Sequence, residues 1–328
     1  MRKVLITGAA GYIGSVLTRQ LLRRGDQVRG FDNLSFGGES LLSVFADPRF
    51  EFVRGDIRDP EDVKKAISGV DAVIHLAAIV GDPACSKQPE IAKEINWDGS
   101  IALFEACNSS DSIRNFVFAS TCSNYGKMAD VEFITESSPL NPVSLYAKLK
   151  VKFEDYLRNE SSRIGMSTTS LRFSTVYGLS PRMRFDLTVN EFMRDVALGN
   201  ELVVYGEQFW RPYCHVEDLA ASCSLILDSD PKLVEDNVFG VGDTSENYQK
   251  KMLVEEILKI QPDALIKFVK KDEDPRDYRV DFSKIRDELG FSITKTVPQG
   301  LGEIQSAIMN GMVDDPYSIK HSNIVEVA

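Results

Sequence analysis

The apolar run Val4, Leu5, Ile6 opens directly into Thr7, Gly8, Ala9, Ala10, Gly11, Tyr12, Ile13, Gly14 and Ser15, and this stretch limits the possible folds more than any other. Behind it, Val16, Leu17, Gln20, Leu21 and Leu22 carry a helical period. A buried strand, a turn with three glycines and a helix together make the opening of a βαβ unit that binds a dinucleotide. The glycines divide the work. One permits the tight turn, one admits a pyrophosphate to the backbone, and one lets helix and strand pack closely. The helix N-terminus meanwhile offers unpaired N–H donors to the anion.

The rest of the chain repeats that alternation. Nearly continuous apolar runs, the signature of strands buried on both faces of a parallel sheet, fall at 4–7, 27–31, 50–53, 72–75, 115–119, 168–172 and 238–241. Helical patterns fill 14–24, 60–67, 91–107, 145–163, 189–198, 216–227, 251–260 and 297–309. The expected fold is α/β, a doubly wound Rossmann-type parallel sheet. After Gly178 the rhythm loosens into short apolar pieces, prolines and basic clusters. A cofactor-binding domain over 1–178, completed by about 216–242, is therefore expected to carry a smaller substrate lobe made of 179–215 and 243–328. The tail from 313 onward has no periodicity and no assignment.

Composition removes some classes of partner. A formal charge of −11 and a pI near 5.0 argue against nucleic acid and anionic membrane surfaces, which require a basic footprint. No stretch reaches the length of a bilayer span. Five cysteines, odd in number and without Cys-x-x-Cys spacing, show neither a disulfide framework nor a metal site and suit reducing cytoplasm.

Asp32 ends the second strand, where a carboxylate accepts hydrogen bonds from the adenosine ribose hydroxyls, which selects NAD over NADP. A 2′-phosphate would face that charge, and Asn33, Leu34 and Ser35 supply no arginine to receive it. Asp56, closing the third strand beside Ile57, is an expected adenine contact or a loop cap. The fifth strand runs out into Ala119, Ser120 and Thr121, and the next helix carries Tyr146 and Lys150, four apart and on one face. This is the single Y-x-x-x-K pair in the sequence. Lowering a tyrosine pKa from about 10 to about 7 needs roughly 4 kcal/mol, which an ammonium about 4 Å away supplies at an intermediate dielectric. Tyr146 is then expected to take a hydroxyl proton, with Thr121 holding the same oxygen.

These motifs together resemble the extended short-chain dehydrogenases that act on nucleotide sugars, the NAD-dependent epimerase/dehydratase family. The resemblance covers the Thr7 to Ser15 turn, Asp32 and Asn33, Asp56, His75 to Ala78, Asn96, Ser120 to Gly126, Tyr146 and Lys150, Arg172 to Gly178, and Arg211 to Asp218. It implies NAD held by Gly8, Gly11, Tyr12, Ile13, Gly14, Asp32, Asn33, Asp56, Ile57, Leu76, Ala77, Ala78, Asn96, Tyr146 and Lys150. Tyr177 would border the nicotinamide end. Arg211 would grip a substrate diphosphate, as a guanidinium matches phosphate.

Ser180 to Asp186 and Asp274 to Tyr278 resemble a subgroup from surface-polysaccharide pathways, including dehydrogenases that make 4-keto nucleotide sugars. Arg182, Arg184, Arg276 and Arg279 would be its anion-binding cations, with Lys271 an alternative to the last two, and Asp82 would touch the sugar. The 4,6-dehydratases of this family carry an Asp-Glu pair after the active-site threonine, where this chain has Cys122 and Ser123. Oxidation without elimination is the expectation, as an epimerase or dehydrogenase. A ketoreductase or an idle NAD-binding regulator are the alternatives. The resemblance also implies a homodimer through the helices at 91–107 and 145–163.

Overall fold

A computed structural model of the chain describes residues 2–127, 132–160, 165–270 and 276–324. Twelve strands occur among them: β1 (Lys3–Thr7), β2 (Gln27–Asp32), β3 (Phe50–Arg54), β4 (Ala72–His75), β5 (Asn115–Thr121), β6 (Ser167–Phe173), β7 (Thr175–Tyr177), β8 (Leu202–Tyr205), β9 (Trp210–His215), β10 (Asn237–Val241), β11 (Asn247–Gln249) and β12 (Ile266–Val269). Seven form one sheet in the order β3-β2-β1-β4-β5-β6-β10. Every pairing in it is parallel, so the Rossmann-type expectation holds.

Alternate residues along β1 feed opposite faces. Val4 and Ile6 join the core that contains Val28, Ile74 and Leu171, whereas Leu5 joins Phe31, Val73 and Phe116. Apolar side chains on both sides explain why the strands read as unbroken hydrophobic runs. Strand order reverses between β1 and β4, and such a reversal leaves a crevice at the carboxyl ends of the strands.

The helix expected over 14–24 spans Tyr12–Arg23, and its first turn has no side-chain cap. The one expected over 91–107 runs from Pro89 to Asn108 but contains a π-helical turn, Glu94–Gly99. Nothing in the apolar periodicity marks such a turn, because it inserts an extra residue without changing which residues are apolar. A short helix, Asp82–Lys87, precedes it. The helix that carries Tyr146 and Lys150 spans Leu145–Glu160; its expected end at 161–163 lies outside the described residues.

Two small sheets lie beyond the large one among the described residues. β7 pairs in parallel with β9, β11 runs antiparallel to β9, and β8 pairs in parallel with β12. Their strands are three to six residues long, too short to stand out as period-two patterns in sequence. No helix among the described residues is long and apolar enough to cross a membrane. All five cysteines are buried and free.

Candidate functional site

A cavity of about 440 Å³ lies over the carboxyl ends of β1, β2, β4 and β5. Its floor is the glycine turn. Gly8 adopts φ +73°, and a Cβ there would stand 2.9 Å from the Ala77 nitrogen; a Cβ on Gly14 would stand 2.1 Å from the Gly8 carbonyl oxygen. Only glycine fits either position without moving backbone. The uncapped first turn of the Tyr12–Arg23 helix therefore presents main-chain N–H groups to the cavity.

The acidic end is equally ordered. The Asp32 carboxylate accepts from the main-chain N–H groups of Ala10 (3.0 Å) and Leu34 (2.8 Å), and burial raises its pKa against those bonds. Asp56 accepts from Asn33 Nδ2 at 3.1 Å and pairs with Arg58 at 2.8 Å. Burial opposes its charge, but Arg58 and Asn33 outweigh that and hold its carboxyl down at about 2.

His75, at the end of β4, bridges the glycine turn to the π-helical segment. Thr7 Oγ1 lies 2.7 Å from its Nδ1, and Ser100 Oγ lies 3.0 Å from its Nε2. Ser100 in turn donates to the Asn96 carbonyl (3.1 Å), so the network assigns a neutral Nε2–H ring. Burial first, then the Lys150 ammonium, push its pKa down to about 3. Asn96 does not face the cavity. Its amide clamps Ile79 at both N–H and C=O, each at 2.8 Å, and so shapes the 76–84 wall.

At the other end the structure brings together Thr121, Tyr146 and Lys150. Thr121 faces Tyr146 closely enough to lower its pKa. Lys150 donates to the Ala119 carbonyl at 2.7 Å and lies 5.8 Å from the Tyr146 ring centroid. The expected Lys-driven lowering of the tyrosine pKa is not what this geometry produces. Burial dominates and raises it, with Cys85 and Asp82 adding in the same direction, while Arg184 and Thr121 oppose. Burial also brings Lys150 down to about 8, which leaves it largely protonated at neutral pH.

A buried ionic network fixes this constellation from behind. Glu154, one helical turn after Lys150, meets Arg172 of β6 at 2.7 Å, with both side chains almost inaccessible. The same carboxylate accepts from Ser120 and from Asn124 (2.9 Å), the residues flanking the Thr121 turn. Helix register and strand end are thereby tied together. Glu154 carries no sequence signal beyond its spacing from Lys150, whereas Arg172 opens the 172–178 motif.

Ser123 lines the cavity but Cys122 does not; its Sγ donates to the Arg172 carbonyl at 3.2 Å, and burial raises the thiol pKa. Arg182, Arg184 and Arg276 reach the cavity. Arg184 forms a two-point pair with Asp186 at 2.9 and 2.7 Å, and Arg276 bridges to Asp82 at 2.9 Å. Arg211 and Arg279 stand outside the lining. Arg211 lies over the Tyr278 ring at 5.3 Å, and Arg279 lies 4.9 Å from both Phe133 and Trp210. Lys271 falls outside the described residues. Tyr177 points away from the cavity into His215 and Gly300, because the pleat of β7 presents Val176 instead. Sequence reasoning missed Phe36, Asp186 and the 323–324 segment in the lining, and the aperiodic tail offered no signal for the last.

A dinucleotide fits this donor set: a glycine cradle that no Cβ can enter, free helix N–H groups, and a carboxylate at the ribose end. Among the described residues no cluster could hold a metal ion. Residues 4–242 match the model of the NAD dependent epimerase/dehydratase family. The chain is 30% identical over 321 residues to UDP-glucuronate 4-epimerase 3 of Arabidopsis thaliana, covering 91% of this chain and 74% of that one. The solved UDP-glucose 4-epimerase of Thermotoga maritima, with UDP-glucose, superposes with a TM-score of 0.85 at 25% identity, over 95% and 100% of the two chains. The dTDP-glucose 4,6-dehydratase of Streptomyces venezuelae, with NAD bound, gives 0.84 at 27% identity over 96% and 100%. With a family model matched over residues 4–242 of the 328 and a relative 30% identical over most of both chains, the chain belongs to the NAD dependent epimerase/dehydratase family.

Proposed function

We propose that this protein is an NAD-dependent nucleotide-sugar 4-epimerase. The observation that carries the reading is Thr121, Tyr146 and Lys150 assembled at one end of a cavity whose other end is a dinucleotide cradle. The curated relatives named as UDP-sugar 4-epimerases support it. NAD, when bound, supplies reversible two-electron oxidation of a sugar carbon.

The chain's own residues manage the proton. Burial raises the Tyr146 pKa, so the phenol must first lose its own proton before it can act as a base. Its phenolate would then take the 4-hydroxyl proton as the carbon is oxidised, with Thr121 holding the same oxygen and the Lys150 charge favouring the phenolate. Return of hydride to the opposite face of the ketone carbon, with Tyr146 giving the proton back to its oxygen, would invert the centre. Loss of water would need a further acid and base, and positions 122 and 123 hold a thiol turned away from the cavity and a serine. Arg184 and Arg276, with Asp82 and Ser123, are the side chains available to a diphosphate and its sugar.

In this reading residues 1–178 with 216–242 hold the cofactor, and 179–215 with 243–328 hold the substrate. A homodimer through the helices at 89–108 and 145–160, a cytoplasmic location and a place in polysaccharide precursor synthesis belong to the same reading. Release of the keto sugar, as a dehydrogenase, is the second outcome of the same residues. Incubation with UDP-glucose, UDP-glucuronate and dTDP-glucose, followed by mass and proton NMR, decides among them. Unchanged mass with a new C4 configuration is expected; loss of two hydrogens means dehydrogenase, and loss of water overturns the reading. Tyr146→Phe should lower turnover by about 10²–10⁴ with NAD still bound. Full NAD binding by the wild type with no turnover of any sugar nucleotide would instead mark a non-catalytic regulator.

A further inference from the structure

Residues 178–186 are stitched onto the helix that begins at the glycine turn. Tyr12 donates through its hydroxyl to the Gly178 carbonyl, and Ser180 Oγ donates to the Tyr12 carbonyl at 2.7 Å. Asn190 ties both ends, accepting from Gly178 N–H (2.9 Å) and donating to the Arg184 carbonyl (2.8 Å). This loop carries Arg182 over the adenosine end of the cavity. Arg182 is 6% exposed, its guanidinium lies 4.5 Å from the Phe36 ring centroid, and Asp32 is within electrostatic reach. One Nη donates to the Ser322 carbonyl at 3.0 Å, while Nε has no hydrogen-bond partner among the described residues.

The C-terminal segment holds that arginine in place. Phe185 N–H donates to the His321 carbonyl (2.8 Å) and Asn323 N–H to Asp186 (3.1 Å), so residues 321–323 lie along the loop. The absence of arginine directly after Asp32 therefore does not leave the ribose subsite without a cation. One arrives from a distant loop instead.

We propose that Arg182 completes the adenosine-ribose subsite, and that Asp32 masks it so that the pair sets the choice between NAD and NADP. The inference rests on the cofactor reading above. A carboxylate at this place accepts from the ribose hydroxyls, and a nearby arginine accommodates a 2′-phosphate; this chain holds both. Asp32 repels the extra phosphate and offsets the arginine's charge. Without that carboxylate, a buried guanidinium with an unused N–H, pre-set against Phe36, would be left to pair with a 2′-phosphate. Discrimination is then a matter of the repulsive member of the pair.

The test is calorimetric titration of NAD and NADP, without sugar nucleotide, into the full-length wild type, Asp32→Asn, Asp32→Asn/Arg182→Leu and Asp32→Asn/Arg182→Lys. Wild type should prefer NAD by a hundredfold or more. Asp32→Asn should tighten NADP at least tenfold, the leucine variant should lose that gain, and the lysine variant should keep most of it. NADP affinity unchanged in Asp32→Asn, or a gain that survives Arg182→Leu, overturns the proposal while NAD binding by the wild type leaves the cofactor reading standing. A wild type that binds neither dinucleotide overturns both. Residual NAD binding by each double variant confirms that it has folded, and the Asp32→Asn result stands without them.

Discussion

Along the wall formed by the ends of β1, β2 and β4, a ligand meets main-chain N–H groups and glycines pressed against backbone. Along the facing wall, formed by residues 182–188 with 276 and 278, it meets charged side chains already paired with one another: Arg184 with Asp186, Arg276 with Asp82. The first wall binds by shape and fixed dipoles, so its chemistry resides in a spacing of glycines. The second binds by exchange of ion-pair partners, so its chemistry resides in pairs assembled by the fold. A site of the first kind is intolerant of added atoms, and one of the second kind is sensitive to changed charge.

Adding one methyl to the first wall should break it. In Gly14→Ala the new Cβ meets the Gly8 carbonyl, a backbone atom that cannot turn aside. Overpacking of this sort costs about 1–3 kcal/mol, so NAD should bind roughly a hundredfold more weakly and the melting temperature should fall. Calorimetry showing unchanged NAD affinity would remove the distinction between the walls.

His75 sharpens the comparison through stability. Its pKa falls from 6.5 to about 3 on folding, because burial disfavours the charged ring. Between those values the unfolded chain binds a proton that the native one refuses, so this contribution is whole above about pH 6.5 and declines as pH drops, by about 1.4 kcal/mol per unit at the limit. His75→Gln should flatten that part of the profile whatever it costs at neutral pH. Urea titrations of both proteins from pH 7 to pH 4.5 check it; parallel slopes would falsify the assignment.

The smallest effect concerns the charged wall. Asp82 raises the Tyr146 pKa and Arg184 lowers it. Asp82→Asn should therefore move the acid limb of the kcat/KM profile to lower pH, and Arg184→Gln should move it to higher pH. Displacement of both limbs in one direction would show that the paired charges do not act on the tyrosine.

This contrast explains what could be read without coordinates. The large sheet was legible because each strand is buried on both faces, and the glycine turn, Asp32 and the Tyr146–Lys150 pair because each depends on neighbours within one or two elements. Arg182 was legible as a cation but not in its place, since Phe36 and Ser322 bring it to Asp32 from opposite ends of the chain. Arg211 and Arg279 show the converse: a basic residue in a family motif need not reach the cavity when aromatic rings hold it elsewhere. Tyr177 was misplaced because a three-residue strand gives no pattern from which to tell its two faces. The π-helical turn was hidden for a different reason, as it shifts the hydrogen-bond ladder while leaving composition untouched.

The bond from Tyr12 to Gly178, reinforced by Asn190, has a consequence for the order of events during synthesis. Chains emerge from the ribosome N-terminal end first, and β1 to β3 can pair once some fifty residues are out. The hydroxyl that steadies the glycine turn, however, finds its partners only after residue 190 has appeared. A nascent chain therefore displays the glycine turn long before the Tyr12 hydroxyl can meet Gly178 and Asn190, so that this support for the turn is among the later ones to form.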